Sequence, residues 1–443
     1  MLYRVVCLSI VFAASAHSAA TGTPTIERTK DATSFVALLA TGDFAKAIYT
    51  FDATMRGALP ESKLRDIWNG LIGQAGAFVK QGATRTERAA GYEIVFVTCE
   101  FERANLDVKV VYDADGKIAG LFFLPSSNAP AFSTPPYVSR DAFEEFEVTF
   151  GEAPWILPGT ISAPKGDGPF PAIVLVHGSG PQDRDETVAA NKPFREIAWG
   201  LATRGIAVLR YEKRTKQYAQ ALNPLPHPFT VKEETIDDAI AAFDNLRQRK
   251  GVDREKVFIL GHSLGGMLIP KISERTPQAA GYIILAGTTR PLEDVIVEQS
   301  NYLAMLDGDK SMDEQKRLDA VQLEVIRIKK LTERDVADAA LIFGAPASYW
   351  LDLRTYDPVK MSAQIGKSLL ILQGQRDYQV TMSDFSRWKE LLSGKTNVTL
   401  KTYPGLNHLF MEGKGPSSPS EYASPGHVSQ ETIDDVAEWI NNR

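Results

Sequence analysis

The feature that most constrains the fold is a series of short, continuous apolar runs in the C-terminal part of the chain. Turn residues bound each run, and none shows the alternation of a half-exposed strand, which indicates strands covered on both faces. Helical patterns separate the runs, so the sequence predicts a doubly wound, mostly parallel sheet. The runs are Ala172–Val176, Ala207–Arg210, Val257–Leu260, Tyr282–Ala286, Leu369–Leu372 and Val398–Tyr403. The helical segments are Lys192–Arg204, Glu233–Arg249, Ser383–Leu392 and Ser429–Asn441.

This pattern has an opening and one long interruption. Glu144–Phe150 and Trp155–Ile161 predict an antiparallel strand pair ahead of the parallel series. The connection from Ala286 to Leu369 is far longer than the roughly ten to fifteen residues of a crossover. We therefore expect a helical cap insertion at about 288–365. Its predicted helices are Val295–Leu306, Met312–Lys330 and Glu333–Phe343.

The N-terminal part predicts a separate small domain with helices first and strands after. Asp113–Gly116 is a strong hairpin-turn signal between two of the strands. We expect an α+β domain over 21–124, a Pro- and Ser-rich linker over 125–136, and the sheet domain over 137–443. The three predicted strands are Tyr92–Phe101, Asn105–Tyr112 and Lys117–Leu124. Cys99 lies in the first of them, which favours a buried structural thiol.

The first residues predict a signal peptide over 1–20. Arg4 supplies the positive charge, Val5–Ala14 the apolar stretch and Ser15–Ala20 a small-residue cleavage zone. A membrane anchor is the alternative, but the apolar run is shorter than the roughly 18 residues that span a bilayer. We expect a mature protein without a membrane span, located in a periplasm or outside the cell.

Composition excludes some function classes without naming one. The chain has 443 residues, 44% of them hydrophobic and 23% charged, as in ordinary globular proteins. Its formal net charge of -6 and the lack of a Lys/Arg run argue against a nucleic-acid partner. The chain contains no phosphate-binding glycine motif and no cluster with metal-ligand spacing, so we expect neither a cofactor nor a metal.

The strongest local signal for chemistry is the G-x-S-x-G sequence at Gly261–Gly265. It directly follows the buried run Val257–Leu260 and precedes helical residues. Small residues on either side of Ser263 permit the sharp strand-to-helix turn that exposes a serine hydroxyl. A chance Gly/Ser turn is the alternative, but this context favours a nucleophile. Ser263 is therefore the predicted nucleophile.

A serine needs an orienting carboxylate and a general base, which follow it in the chain in that order on such sheets. Asp377 comes just after the run Leu369–Leu372, where loops rise beside the nucleophile turn. Asp384 is a rival but has a helical position, and Asp357 precedes a proline as a helix-capping residue does. We predict Asp377 as the carboxylate.

His408 is the predicted general base, because it lies immediately after the last strand, in Pro404–His408. A lone loop histidine is usually solvated or structural, but here three strand-end residues follow the required order. The other histidines beyond the signal segment lie elsewhere in the pattern: His177, His227, His262 and His427.

The sequence also predicts an oxyanion hole. The run Ala172–Val176 leads into His177–Gly180, and we assign the backbone amides of Ser179 and Leu264 as the donors. An ordinary flexible turn is the alternative for this loop. Beyond it, Asp183–Glu186 and Tyr211–Arg214 carry opposite charges that we expect to pair in a structural role.

These motifs resemble the α/β-hydrolase superfamily: strand-HGSG, strand-GHSLGG, strand-GxxD and strand-NH, in this order, over about 143–442. HGSGPQDRDE and RYEKR are similar to secreted bacterial esterase-like hydrolases grouped with serine aminopeptidases and acylaminoacyl peptidases. The N-terminal part resembles a small α+β domain found ahead of such enzymes. One departure is Pro270, early in the helix after Ser263, which is expected to kink it.

The resemblance and the predicted triad together imply a secreted serine hydrolase that cleaves small-molecule carboxylic esters through an acyl-enzyme. A serine exopeptidase is the alternative, with cap carboxylates such as Glu293, Glu298 and Glu314 binding a substrate amine. A non-catalytic binding protein on the same fold is a third hypothesis. We expect the N-terminal domain to act in docking or in homo-oligomer formation.

Overall fold

The computed structural model describes residues 26–89, 91–101, 105–126, 132–222, 229–306, 308–337 and 340–443. The predicted signal peptide, residues 127–131 of the predicted linker and His227 lie outside these residues. The chain divides near residue 132 into two compact units.

The N-terminal unit combines four helices with a four-stranded antiparallel sheet of order β1-β2-β3-β4. Its helices are α1 (Ile26–Ala40), α2 (Phe44–Tyr49), α3 (Ala53–Ala58) and α4 (Glu61–Ala75). Its strands are β1 (Phe78–Ala89), β2 (Tyr92–Phe101), β3 (Asn105–Tyr112) and β4 (Ile118–Pro125). One face of the sheet packs on the helices around Phe35, Trp68 and Val97. Cys99 belongs to this core, and burial together with the charge of Asp107 raises the pKa of its thiol to about 12.

The sequence analysis predicted only three strands in this domain and did not identify β1. Most residues of β1 are exposed, and polar residues fill the positions where a half-buried strand would alternate apolar ones. β1 is nevertheless paired along its length with β2, with register shifts near Phe78 and Gln81. Backbone hydrogen bonding at a sheet edge therefore forms a strand that side-chain periodicity does not indicate.

The larger unit contains the predicted sheet, with eight strands in the order β12-β11-β10-β9-β7-β8-β6-β5. The strands are β5 (Phe143–Phe150), β6 (Leu157–Pro164), β7 (Phe170–Val176), β8 (Ala207–Tyr211), β9 (Val252–His262), β10 (Gly281–Leu285), β11 (Ser368–Gly374) and β12 (Val398–Tyr403). The six strands from β12 to β8 are parallel, whereas β6 and β5 are antiparallel. This is the predicted opening pair followed by a parallel series, and it confirms the α/β-hydrolase fold.

Helices cover both faces of this sheet, as the continuous apolar strands require. Alternate residues of β7 enter different cores: Ile173 packs with Phe194 and Trp439, and Val174 packs with Phe243 and Trp388. The covering helices are α5 (Pro193–Thr203), α7 (Asp237–Arg247), α8 (Leu264–Arg275), α13 (Met382–Leu392) and α14 (Gln430–Asn441), and α6 (Arg214–Gln217) is a short helix after β8. A π-helical turn, Lys232–Ile236, precedes α7. No described helix has the length and apolar character needed to cross a membrane.

The insertion between β10 and β11 is helical, but one of its predicted helices is wrong. It contains α9 (Leu292–Ala304), α10 (Met312–Lys330), α11 (Ala347–Arg354) and α12 (Pro358–Ser362). In place of a helix over Glu333–Phe343, the described residues form only a 3-10 turn at Glu333–Ala337. Phe343 and Gly344 then adopt positive φ values of 48° and 81° in a tight turn that a helix cannot contain. Pro270, which was expected to kink the helix after Ser263, lies inside α8 and does not end it.

Candidate active site

The turn between β9 and α8 holds Ser263 in a strained conformation with φ 54° and ψ -115°. Close backbone packing fixes this turn. A Cβ on Gly261 would lie 2.2 Å from the carbonyl oxygen of Gly265, and a Cβ on Gly265 would lie 2.3 Å from that of Val176. Only glycine fits at either position, which explains the small residues of the G-x-S-x-G sequence.

Asp377 lies in the loop after β11 and is 4% exposed. One carboxylate oxygen accepts hydrogen bonds from the backbone N–H groups of Gln379 (2.8 Å) and Val380 (2.9 Å). The other accepts from the side-chain amide of Gln373 at 3.1 Å. These donors hold the carboxylate in one orientation and satisfy it although it is buried.

His408 lies in the loop after β12 and is also 4% exposed. Its Nδ1 lies 2.6 Å from Oδ2 of Asp377. A carboxylate acceptor at Nδ1 favours the tautomer that carries a proton there, so Nε2 is left to exchange a proton with a reacting group.

The rival carboxylates lie elsewhere. Asp384 is in α13, where it accepts hydrogen bonds from Thr289 and pairs with Arg290 at 2.7 Å. Burial acts to raise the pKa of Asp384, but Arg290 and the other donors outweigh it and lower that pKa. Asp357 caps α12 through the N–H groups of residues 359 and 360. Among these three carboxylates, the structure brings Asp377 to His408.

The loop after β7 lies against the nucleophile turn. A Cβ on Gly178 would be 3.1 Å from the Cβ of Ser263. The N–H of Gly178 is already used, since it donates to Glu186 at 2.8 Å. The N–H groups of Ser179 and Leu264, by contrast, have no acceptor among the residues that the structure describes.

Sequence reasoning missed a buried pair behind this loop. His262 Nδ1 lies 2.9 Å from Glu186, and its Nε2 lies 2.9 Å from the backbone carbonyl oxygen of His408. Burial acts to raise the pKa of Glu186, but His262 and the N–H of Gly178 outweigh it and lower that pKa. Burial acts to lower the pKa of His262, but Glu186 outweighs it and raises that pKa. A charged residue in the predicted loop Asp183–Glu186 was the available signal, but it was assigned to an exposed pair.

The expected pairing between the two charged loops is confirmed. Arg184 Nε donates to Glu212 at 2.8 Å. Farther inside, Arg210 pairs with Asp185 at 3.0 Å and Lys213 pairs with Glu234 at 2.9 Å. The ion pairs at these loops are therefore partly buried in one case and almost fully buried in the others.

Two other histidines and two of the cap carboxylates have partners of their own. His177 is buried, and burial lowers its pKa to about 4. His427 contacts Glu196 at 3.0 Å. In the cap, Glu298 pairs with Arg290, and Glu314 forms a capping box with its N-cap serine. Among the described residues, no group of three or more His, Cys, Asp or Glu is arranged to hold a metal ion.

Comparison with known families gives the class of protein. The model described as "Serine aminopeptidase, S33" matches residues 169–414, more than half of the chain. The chain therefore belongs to this family of α/β hydrolases and is a hydrolase. Residues 32–121 match a second model, described as "Protein of unknown function (DUF3887)".

Particular relatives extend the comparison. The chain is 39% identical to Esterase EstD of Thermotoga maritima over 406 residues, which cover 92% of this chain and 93% of that protein. Among solved structures, Est1E from Butyrivibrio proteoclasticus is 14% identical with a TM-score of 0.42, covering 67% of this chain and 99% of its own. A hyperthermophilic esterase from the archaeon Pyrobaculum calidifontis is 14% identical with a TM-score of 0.43, covering 68% and 85%.

Proposed function

We propose that the protein is a carboxylic esterase in which Ser263, His408 and Asp377 form a catalytic triad. The observation that carries this proposal is the 2.6 Å contact between His408 Nδ1 and a carboxylate oriented by three other donors. A histidine held in this way is suited to accept a proton at Nε2. The esterase named among the relatives covers nearly the whole chain, which supports ester substrates.

The proposed reaction is acyl transfer in two steps. His408 Nε2 takes the proton of Ser263 as its oxygen attacks the ester carbonyl carbon, and the imidazolium then gives that proton to the departing alcohol. Water, activated by the same nitrogen, hydrolyses the acyl-enzyme and releases the acid. The N–H groups of Ser179 and Leu264, which lack protein acceptors among the described residues, are the proposed donors to the oxyanion.

The exopeptidase alternative has less support from two of its three cap carboxylates. Glu298 and Glu314 already have partners, so neither is a free carboxylate for a substrate amine. Glu293, the third, is 8% exposed. Comparing p-nitrophenyl esters with aminoacyl p-nitroanilides separates the two activities. We expect higher kcat/KM on esters, and a strong preference for anilides would overturn the assignment. Absence of labelling by a fluorophosphonate probe would instead favour a non-catalytic binding protein.

We further propose that residues 1–20 direct export and are removed, so that the enzyme acts in a periplasm or outside the cell. Mass spectrometry of the N-terminus of the protein made in its native host tests this, and a retained Met1 would contradict it.

We propose a docking or dimerising role for the N-terminal domain. A variant that starts near Tyr137 and keeps both the oligomeric state and full activity would contradict that role.

A further inference from the structure

The loop after β7 is held by a buried lysine that the proposed reaction does not use. Lys213, in the loop after β8, is 1% exposed. Its ammonium donates to the backbone carbonyl oxygen of Gly178 at 2.8 Å and pairs with Glu234 at 2.9 Å. Burying an ammonium is costly unless it is paired and hydrogen-bonded, so these two contacts account for its presence in the interior.

The carbonyl that Lys213 contacts belongs to the same peptide unit as the N–H of Ser179. A trans peptide is planar, and its C=O and N–H point in opposite directions. Fixing the oxygen of Gly178 on Lys213 therefore fixes the direction of the Ser179 N–H. A cation at the carbonyl also draws electron density from the amide, which makes its N–H a stronger donor.

Two further hydrogen bonds restrain the same loop. The N–H of Gly178 donates to Glu186, and the backbone N–H of Lys213 donates to the carbonyl of Gln182 at 3.1 Å. Glu234, which balances the lysine, also accepts from the hydroxyl of Tyr349 at 2.7 Å. It lies in the π-helical turn Lys232–Ile236, a type of local structure that often occurs at functional sites. The carboxylate that pairs with the ammonium is thus itself held by a hydrogen bond.

We propose that Lys213 is a positioning residue, which orients and polarises the Gly178–Ser179 peptide so that the Ser179 N–H stabilises the oxyanion. This inference rests on the proposed esterase function. Its consequence is specific: losing the ammonium weakens transition-state stabilisation and leaves ground-state binding of the ester nearly unchanged.

The test compares Lys213→Met with Arg214→Met, using p-nitrophenyl esters. Arg214 is the next residue, is also buried and is paired with Asp238, and the hydrogen bonds and ion pair of its side chain go to Asp238 and not to the loop after β7. We expect Lys213→Met to lower kcat about 10- to 100-fold with KM little changed. Arg214→Met loses thermal stability but keeps kcat close to that of wild type. Lys213→Arg, which can still donate to the carbonyl, restores part of the lost kcat.

A trifluoromethyl ketone inhibitor gives a second readout. Ser263 Oγ adds to its carbonyl carbon, the serine proton passes to His408, and the ketone oxygen becomes the oxyanion. We expect its inhibition constant to rise in Lys213→Met by the same factor by which kcat/KM falls, and to stay unchanged in Arg214→Met.

Equal losses of kcat in Lys213→Met and Arg214→Met, or a wild-type kcat in Lys213→Met, would overturn the inference. If circular dichroism shows that Lys213→Met is unfolded, Lys213→Gln takes its place under the same expectations. Full activity of Ser263→Ala would refute the proposed function itself, whereas an inactive Ser263→Ala beside a fully active Lys213→Met refutes only the role of Lys213.

Discussion

The two sheets of this protein bury very different side chains. The described part of the four-stranded sheet buries one charged side chain, Asp107, and otherwise an apolar core. The carboxyl ends of the eight-stranded sheet and the loops that follow them bury a cluster of polar side chains that includes Glu186, Lys213, His262 and His408. Because each buried charge needs a partner, the second arrangement is costly to build, and such clusters are typical of functional sites. The difference separates a domain that is stabilised by packing from one that buries the residues of the proposed site.

Among the substitutions that compare the two sheets, the greatest loss of activity is expected from Asp377→Asn. The amide cannot hold His408 in the tautomer required of a base, so kcat should fall about 10³- to 10⁴-fold. Asp384→Asn is the matched control, since it alters another buried carboxylate that is bonded to Arg290. Steady-state kinetics on p-nitrophenyl esters checks both variants. If both variants lost kcat to the same extent, the loss in Asp377→Asn would reflect lower protein stability and not a role of Asp377 in the reaction.

Glu186→Gln should give the next largest effect. It removes the charge that faces His262 and the N–H of Gly178, and hydrogen bonds to a charged group each contribute about 1.5 to 3 kcal/mol to the free energy of unfolding. Urea unfolding measures this loss. Glu212→Gln, which alters the more exposed pair with Arg184, should cost at most about 1 kcal/mol. A small effect at Glu186 would contradict the contrast between the two pairs.

His177 predicts a pH dependence of stability. Burial, with Lys213 nearby, lowers its folded pKa from 6.5 to about 4, although Glu186 and Asp183 act against the shift. Between these pH values the unfolded chain binds more protons at this residue, so its contribution favours folding increasingly as pH rises from 4 to 6.5. The contribution amounts to about 3 kcal/mol and is complete above that range. Urea unfolding of wild type and His177→Asn across this range should show a shallower slope in the variant, and identical slopes would contradict the shift.

The smallest effect is expected in the four-stranded sheet, at the exposed pair of Lys80 with Glu100. Lys80→Gln should change the free energy of unfolding by less than about 0.5 kcal/mol. It should also leave kcat unchanged. A substantial loss of ester hydrolysis in this variant would mean that the N-terminal sheet contributes to the site, which would contradict the contrast between the two sheets.

The strands of the larger sheet were predictable because their apolar runs record burial on both faces. β10 is buried at every position and matches the predicted run within a residue at either end. β1 was not predictable, because an exposed edge strand leaves no periodic signal. The helix expected over Glu333–Phe343 is absent because its described end forms a tight turn at Phe343 and Gly344, closed by an isolated bridge between Ile342 and Ala345, and helical spacing does not show such a turn.

The candidate site also contains residues that could be predicted from the sequence and residues that could not. Asp377 and His408 were predictable, since each follows a buried strand and only chain order was needed to pair them. The contacts of Glu186 and Lys213 were not, because the partners lie on loops that only the folded sheet brings together. Their charge was visible in the sequence, but charged loop residues are usually solvated.

The proposed triad is tested most directly by measuring kcat/KM for a short p-nitrophenyl ester with wild type, Ser263→Ala and His408→Ala. The proposed triad predicts ester hydrolysis by the wild type and a loss of at least about 10³-fold in each variant, with circular dichroism unchanged. Full activity in Ser263→Ala would contradict the assignment of the nucleophile and with it the proposed mechanism.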